Sequence, residues 1–364
     1  MGLCAFCKID SKEQLKSCVC KKVSYCSKDC QTKDWKSHKP ACPPYVIRES
    51  PGKGRGLFAT RKIKEGQVIL EEYPLISLGA IRLNEFKTNH FPNIDDETKV
   101  KILQLHDPAD NIRTLEREGK TVENVVVGDL LLVNMDDETD EISKILRIFY
   151  GNYIEICADK ALYSDAGFGL YNKISIINHS CVPNATWTWV MGDFQRKQVR
   201  TVMTIEKDEE ILVNYHNTAE FVYGSREFRW RRLARTKGFL CECSQCSLEG
   251  EDLQENDRMR TEIRETEVEI VQLMRSEGSP RRPIVKKAMK LTQRKTNLVK
   301  NLNIRDRFVA EMVTSCRFAV EAKRLGISCK NDPEIFKQEA FKYAKMFGDF
   351  YICSYNYALP MMGI

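Results

Sequence analysis

Eight soft metal ligands crowd residues 4–42 of this 364-residue chain, and they fall in four close pairs: Cys4-x2-Cys7, Cys18-x-Cys20, Cys26-x3-Cys30 and His38-x3-Cys42. Side chains that share one ion must each come within about 2.0–2.3 Å of it, so short spacing is what a tetrahedral zinc site demands. Four pairs suffice for two such sites. Lysines fill the gaps and aliphatic residues are almost absent. A segment of roughly 40 residues with so little apolar surface cannot fold by burial alone, so metal or disulfide support is required. Three more cysteines, Cys241, Cys243 and Cys246, lie within six residues, one ligand short of a closed site. Cys157, Cys181, Cys316, Cys329 and Cys353 are scattered; Cys157, Cys316, Cys329 and Cys353 have no partners at ligand spacing and read as buried thiols.

A disulfide-stapled secreted module is the alternative for such clusters. The N-terminus lacks the basic-then-apolar layout of a secretory signal, and disulfides are disfavoured in the cytosol, so metal is the better reading. Met1-Gly2 opens like a myristoylation signal, yet Phe6 stands where that signal needs Ser or Thr. The longest apolar run, Val125 to Val133, contains Asp129 and falls far short of the ~20 residues that span a bilayer. These features exclude a membrane protein and point to the cytoplasm, the nucleus or both. Hydrophobic residues at 42% and charged residues at 30% describe a globular chain, long enough for two or three domains.

The formal charge of +6 hints at nucleic acid, but nine lysines against four acids in residues 1–45 supply five of those charges. Eleven thiolates holding three zinc ions would remove five charges and leave about +1. With no recognition-helix motif either, the nucleic-acid signal is weak.

Beyond the cysteine-rich segment the texture changes. Short β-prone runs (Tyr45 to Ile47, Gln67 to Leu70, Val199 to Ile205, Ile211 to Val213) alternate with Gly, Pro and charged turns. Between about 80 and 150 the pattern turns helical, with one partial stripe at Val100, Leu103 and Leu105 and another at Ile142, Ile145, Leu146 and Phe149. After Cys246 the chain reads as charged helices. Phe308, Met312, Cys316 and Val320 recur every four residues, as do Phe336, Ala340 and Ala344. Asp332-Pro333 marks a helix start, Gly348 a stop, and Gly278-Ser279-Pro280 a connection, so antiparallel helical hairpins are expected.

The N-terminal segment resembles the MYND zinc finger through Tyr25-Cys26-Ser27, Cys30, Trp35-Lys36 and His38-x3-Cys42. In that family the pairs interleave, which implies one zinc on Cys4, Cys7, Cys26 and Cys30 and a second on Cys18, Cys20, His38 and Cys42. Cys18 and Cys20 depart from the usual spacing, with only Val19 between them. Four more segments carry a second resemblance. Gly52-Lys53-Gly54-Arg55-Gly56-Leu57-Phe58-Ala59 is by itself only a Gly-rich turn. Asn178-His179-Ser180-Cys181-Val182-Pro183-Asn184 resembles the signature of SET-domain lysine methyltransferases. Glu210 to Tyr215 resembles the strand leading to that fold's active-site tyrosine, and Phe239 to Cys246 its cysteine-rich post-SET segment.

MYND followed by SET is similar to the Smyd family, and most like its arthropod-type branch, where the finger precedes the first SET strands. The resemblance implies an α+β chain: a MYND finger at 1–44, a β-rich SET domain at 45–216 with a helical insert near 80–150, a post-SET zinc segment at 217–250, and a helical region at 251–364. It implies an S-adenosylmethionine-dependent protein-lysine methyltransferase acting on histone or non-histone lysines. It also implies three structural zinc ions, Cys181 completing the third with Cys241, Cys243 and Cys246. The cofactor would be cradled by Lys53, Gly54, Arg55, Asn152, Ser175, Ile177, Asn178 and His179, with Phe239 near the adenine and Tyr215 as the catalytic tyrosine.

MYND fingers serve protein interaction, so peptide partners, Pro-rich ones among them, are implied; a monomer is expected. Two departures stand out. Better-known members carry a second channel tyrosine where this chain has Lys237, whose charge opposes a cationic substrate. The turn before Glu210 reads Lys207-Asp208-Glu209, without the usual Gly. A catalytically weak or inactive adaptor, or co-repressor scaffold, is therefore the second reading.

Overall fold

A computed structural model describes residues 3–9, 15–18, 20, 22–78, 86–109, 141–156, 167–190, 193–216, 218–275, 281–308, 311 and 325–327. Cys157, Cys316, Cys329 and Cys353, the helical stripes from Met312 onward, Asp332-Pro333, Gly348, the 278–280 connection and residues 110–140 of the expected insert lie outside the described residues.

The finger holds a two-residue antiparallel pair, β1 (Lys16–Ser17) and β2 (Ser24–Tyr25), and the helix α1 (Lys28–His38). Ser27 caps α1 by accepting the Cys30 N–H, which satisfies an orphan donor and sets Cys26, Cys30 and His38 in relative position. Next come β3 (Tyr45–Ser50) and β4 (Gly54–Ala59), an antiparallel hairpin pairing Tyr45 with Ala59 and Ser50 with Gly54. Gly52 and Gly54 take φ values of 71° and 73°, open to glycine at little cost.

The middle of the chain comprises β5 (Val68–Glu72), β6 (Ile76–Leu78), α2 (Asp96–Leu103), α3 (Glu141–Asn152), β7 (Ile154–Ile156), β8 (Gly167–Leu170), β9 (Asn178–His179), β10 (Ala185–Val190), β11 (Asp193–Thr201) and β12 (Glu210–Val213). Among the described residues these strands form sheets ordered β3-β4-β12-β9, β10-β11-β5 and β6-β8-β7. β12 is the joint: antiparallel to β4 on one side, it runs parallel to β9 on the other, pairing Leu212 with Asn178 and Val213 with His179. Asn184 locks this joint. Its amide donates to the Glu210 carbonyl at 2.8 Å while its oxygen accepts the Leu212 N–H at 2.8 Å. Leu57, Ile63, Ile145, Leu170, Ile177, Ile211 and Val213 fill the core beneath the sheets.

Asp208 fills the place of the missing glycine before β12, with φ at 68°. Aspartate tolerates the left-handed region better than most side chains. Here its N–H donates to the Ala59 carbonyl at 2.8 Å and its carbonyl accepts from Arg48 at 2.8 Å, which holds the conformation.

The expected strand over Val199 to Ile205 stops at Thr201. The register with β5 shifts between Val199 and Arg200, and the buried Thr201 hydroxyl donates to the Lys64 carbonyl, so the chain turns; Ile205 keeps only an isolated bridge to Ile63. Val100 is likewise exposed; Ile102 is the buried residue of α2, Leu103 packs partly against the core, and Leu105 just past the helix is buried in it. The second stripe does pack inward through Ile145, Leu146 and Phe149. On the same helix Arg147 is buried and grips Asp107 through Nε at 2.8 Å and Nη2 at 2.6 Å, tying the segment after α2 to α3.

Burial raises the Asp107 pKa, but Arg147 and the Ala109 N–H outweigh it and hold the carboxyl below its usual range. Such a group contributes stability above its ordinary pKa of about 4 and loses it as pH falls through the lowered folded value. Arg147→Met strands the buried carboxylate, and chemical denaturation at neutral pH is expected to show a loss of about 3–5 kcal/mol. The gap to the wild type should narrow as pH approaches about 3. A gap that does not change with pH would refute this role.

Four further helices follow: α4 (Ala219–Val222), α5 (Arg226–Lys237), α6 (Gly250–Arg275) and α7 (Arg281–Asn301). Ser225 caps α5 by accepting the Phe228 N–H, and Gly238 ends it at φ 74°. α6 and α7 lie antiparallel, since Glu262 pairs with Arg294 while Glu269 pairs with Lys287. Ile263, Val299, Leu302 and Phe308 join Cys181, Cys241 and Cys246 in a second core, so the helical hairpin backs the third cysteine cluster.

Candidate active site and metal centres

Three groups of four ligands converge: Cys4, Cys7, Cys26 and Cys30; Cys18, Cys20, His38 and Cys42; and Cys181, Cys241, Cys243 and Cys246, with the ligand atoms of each group within 4.8 Å of one another. Four sulfurs at about 2.3 Å from a central zinc stand roughly 3.8 Å apart. The sulfur separations match: 3.7 Å for Cys7–Cys26, 3.6 Å for Cys26–Cys30, 3.8 Å for Cys18–Cys42, and 3.9 and 3.7 Å from Cys181 to Cys241 and Cys246. His38 Nε2 lies 3.3 Å from Cys18 and 3.4 Å from Cys20, close enough for one ion to bind all three. The residues fit closed, four-ligand zinc sites, and the ungrouped spacing of Cys18-x-Cys20 is no obstacle.

The third cluster differs from the other two in its surroundings. Four thiolates on a dication carry a net charge of −2, which is costly to bury unpaired. Arg229 is fully buried beside them, its Nη2 3.6 Å from Cys246 Sγ and its Nη1 2.6 Å from the Gly224 carbonyl. His179 reaches the same cluster from the other side. Its Nδ1 accepts the Tyr215 N–H at 3.0 Å, so Nε2 carries the hydrogen and donates to Cys181 Sγ at 3.4 Å. Burial first, with neighbouring cations, pushes the His179 pKa down to about 3, so the ring is neutral and one imidazole links metal cluster to tyrosine.

On the far side of His179 opens a cavity of about 810 Å³, within the range of small-molecule sites. Its wall collects Lys53, Gly54, Arg55, Asn152, Ser175, Asn178, His179, Tyr215, Lys237 and Phe239, along with Cys241 and Cys243 of the third cluster. The β3–β4 turn is held close by Asn178, whose amide donates to the Arg55 carbonyl at 3.0 Å and to Glu210 Oε1 at 2.8 Å. Gly56 permits this approach: a Cβ there would collide with the Glu210 carboxylate and sit 3.0 Å from the Asn178 amide. Glu210 also pairs with Lys53 at 3.6 Å.

Tyr215 is the pivot of the wall. Its hydroxyl donates to the Ile177 carbonyl at 2.8 Å, its ring stacks on Trp187 at 6.1 Å, and Phe239 meets it edge-on at 6.2 Å. Burial above all, and then the Glu210 charge, push its pKa up, which keeps the phenol protonated.

Ile177 is the one expected cradle residue that the structure does not bring to this wall. The one-turn helix Ile174–Ile176 ends just before it, sending its side chain into the core at 0% exposure, and Ile176 lines the cavity in its place. Ile177 contributes instead through the carbonyl that orients Tyr215. Other wall residues had no motif to announce them. Gln104, Leu105 and His106 arrive because Asn152 donates to the His106 carbonyl at 2.7 Å and Arg55 donates to the Gln104 carbonyl. Trp230 enters on α5, donating to the Cys241 carbonyl at 2.8 Å. That helix lies inside the stretch expected to be only a zinc segment, although its Ser225 and Gly238 caps are legible in the sequence.

The wall fits S-adenosylmethionine chemically. Lys53 and Arg55 suit a carboxylate, and the Phe239 face suits a purine. The side-chain oxygens of Asn152 and Asn178 accept nothing from the described residues and remain available to a ligand's N–H groups.

Residues 4–42 match the MYND finger family and residues 54–216 match the SET domain family. Among curated proteins, the chain is 28% identical over 243 residues to histone-lysine N-methyltransferase ASHR1 of Arabidopsis thaliana, covering 64% of this chain and 44% of that protein. It is also 28% identical over 264 residues to N-lysine methyltransferase SMYD2 of Homo sapiens, covering 72% of this chain and 53% of that protein. The chain thus spans about half the length of the curated relatives it matches. A solved structure of the Neurospora SET domain protein DIM-5, a histone lysine methyltransferase, aligns at 16% identity over 53% of this chain and 58% of its own, with a TM-score of 0.26.

Proposed function

The chain belongs to the proteins that set a MYND finger ahead of a SET domain, and from that premise we propose that it methylates lysine side chains of proteins, histone or non-histone, with S-adenosylmethionine as donor. The observation that carries the reading is the meeting of four distant segments (53–55, 175–179, 215 and 237–243) around one cavity beside a partly buried, protonated tyrosine. When bound, S-adenosylmethionine supplies an electrophilic sulfonium methyl. Lys53 and Arg55 would hold its carboxylate, Asn152, Ser175 and Asn178 its polar edges, and Phe239 its adenine. Tyr215, fixed by Ile177 and His179, orients the incoming amine.

An ammonium has no lone pair, so the lysine must arrive neutral. The apolar faces of Tyr215, backed by Trp187, and Phe239 desolvate it and lower its pKa, the usual effect of burial on an amine. Holding nitrogen and methyl in line supplies much of the remaining acceleration. The three zinc ions are structural, since closed four-ligand sites leave no open position for chemistry. The finger serves protein partners, Pro-rich peptides among them. The thiols of all three clusters are free of disulfides, which suits work in the reducing cytoplasm or nucleus. Both named relatives are methyltransferases, which gives the inactive-adaptor alternative no support.

Calorimetry on the zinc-loaded protein is expected to show S-adenosylmethionine binding at micromolar concentration, and labelled cofactor should pass its methyl to lysines in a mixed protein extract. Absence of binding would overturn the proposal.

A further inference from the structure

We propose that Lys237 makes the donor pocket charge-selective, so that it holds a neutral thioether in preference to a cationic sulfonium. The inference rests on the reading of the cavity as an S-adenosylmethionine site. Lys237 is the last residue of α5, and the left-handed Gly238 turns the chain so that Lys237 and Phe239 line the same cavity. Its Nζ donates to the Gly151 carbonyl at 3.0 Å and lies 5.0 Å from the Tyr153 ring centroid and 5.7 Å from that of Tyr215.

A carbonyl, two aromatic faces and the end of a helix all favour a cation without neutralising it. Among the described residues no carboxylate pairs with Lys237, whereas Lys53 across the cavity has Glu210. The ammonium therefore stands in the wall that also holds Tyr215 with no carboxylate paired to it, while the charge of the third cluster, which reaches the wall through Cys241 and Cys243, is faced by the buried Arg229. S-adenosylmethionine and its demethylated product, S-adenosylhomocysteine, differ by one methyl and one positive charge at sulfur. Only the first is repelled. Protonated Lys237 thus weakens donor binding and retains product.

Burial lowers the Lys237 pKa to about 8, so the charge is largely present at pH 7 and largely gone at about pH 9.5. Facing it are Tyr215, Tyr153 and His216; Arg232 lies on its own helix, and Lys53, Arg55, His106, His179, Glu242 and the thiolates Cys241 and Cys243 sit elsewhere in the wall. His216 is held neutral, its pKa pushed to about 3 by burial and then by Lys237 and Arg232. The carboxylate common to both ligands cancels in the ratio of their affinities; the α-amino group, whose pKa the sulfonium lowers, contributes equally in the wild type and in Lys237→Met, so the difference between those two proteins isolates Lys237.

The test is calorimetry of both ligands on the zinc-loaded full chain at about pH 7 and about pH 9.5, for the wild type, Lys237→Met and Lys237→Arg. In the wild type the preference for the thioether is expected to be roughly tenfold larger at the lower pH. Lys237→Met should show a smaller preference than the wild type at the lower pH and match it at the higher, and Lys237→Arg should keep a larger preference than either at the higher pH, because a guanidinium does not discharge in this range. A wild-type preference that does not change with pH, or a Met variant with the wild-type pattern, overturns the inference alone. If the wild type binds neither ligand, the donor-site reading falls and this one with it.

Discussion

A Cys181→Ala variant is expected to carry two zinc ions per chain instead of three, by elemental analysis after gel filtration, and to lose S-adenosylmethionine affinity by at least about a hundredfold. A structural zinc site contributes on the order of 10 kcal/mol to the folding of the segment it closes at neutral pH, so deleting one ligand of four removes several kcal/mol. The geometry directs that loss to the cavity. Cys181 is 1% exposed and sits between Cys241 and Cys246, while Cys241 and Cys243 themselves form part of the cavity wall. Without the ion, the Phe239–Cys243 segment has no anchor to the Cys181 loop, and His179 loses the acceptor for its Nε2 hydrogen. Arg229, fully buried, is left facing thiols instead of a −2 centre, an added cost of uncompensated charge. Retention of three ions, with Cys181 open to alkylation in the native protein, would show that the third centre is not built this way.

Tyr215→Phe tests the other pivot. Turnover is expected to fall by about 100- to 1,000-fold, the usual cost of deleting one preorganised hydrogen-bonding group at a reacting centre. Donor affinity should change by no more than about threefold, because the ring and its stacking on Trp187 remain. The lost hydroxyl leaves the Ile177 carbonyl without its 2.8 Å donor inside the core, so stability should also drop by about 1–3 kcal/mol. Burial and the Glu210 charge raise the phenol's pKa, and a raised acid stays protonated to higher pH. The wild-type rate should therefore show no fall from ionisation of Tyr215 below about pH 10. Labelled-methyl kinetics beside calorimetry separate the two effects. A variant that turns over within fivefold of the wild type would remove Tyr215 from the mechanism.

Much of the site was legible before any coordinates, for reasons that lie in local covalent reach. Cys26 and Cys30 bind together because one turn of α1, started by Ser27, sets their spacing. The Gly52–Gly56 stretch announces a backbone that must turn sharply and lie close to something, and Gly56 does so against Asn178 and Glu210. Periodicity placed Ile145, Leu146 and Phe149 inward on α3 because three helical turns average out local accidents. Around α2, a shorter helix, it held for Leu103 and Leu105, which pack on the core, and missed at Val100, which faces solvent while Ile102 is buried. The residues 104–106 carry no pattern at all. They reach the cavity through single hydrogen bonds from Asn152 and Arg55, partners 46 and 49 residues away, and no short-range signal encodes a contact at that distance.

What the sequence by itself determined is the inventory: which side chains can bind zinc, where the chain must turn, and which motifs recur together, because ligand chemistry and backbone permissiveness belong to the residue and its immediate neighbours. The tertiary structure alone decided the rest. Pairing β12 in parallel with β9 seats His179 between the Cys181 cluster and Tyr215, and ending α5 at Gly238 places the Lys237 amine, unpaired by any carboxylate among the described residues, in the wall of the cavity. Those outcomes depend on register and helix ends set by the packing of the whole core, and the electrostatics of a lysine depend on what surrounds it, which no residue carries in its own identity.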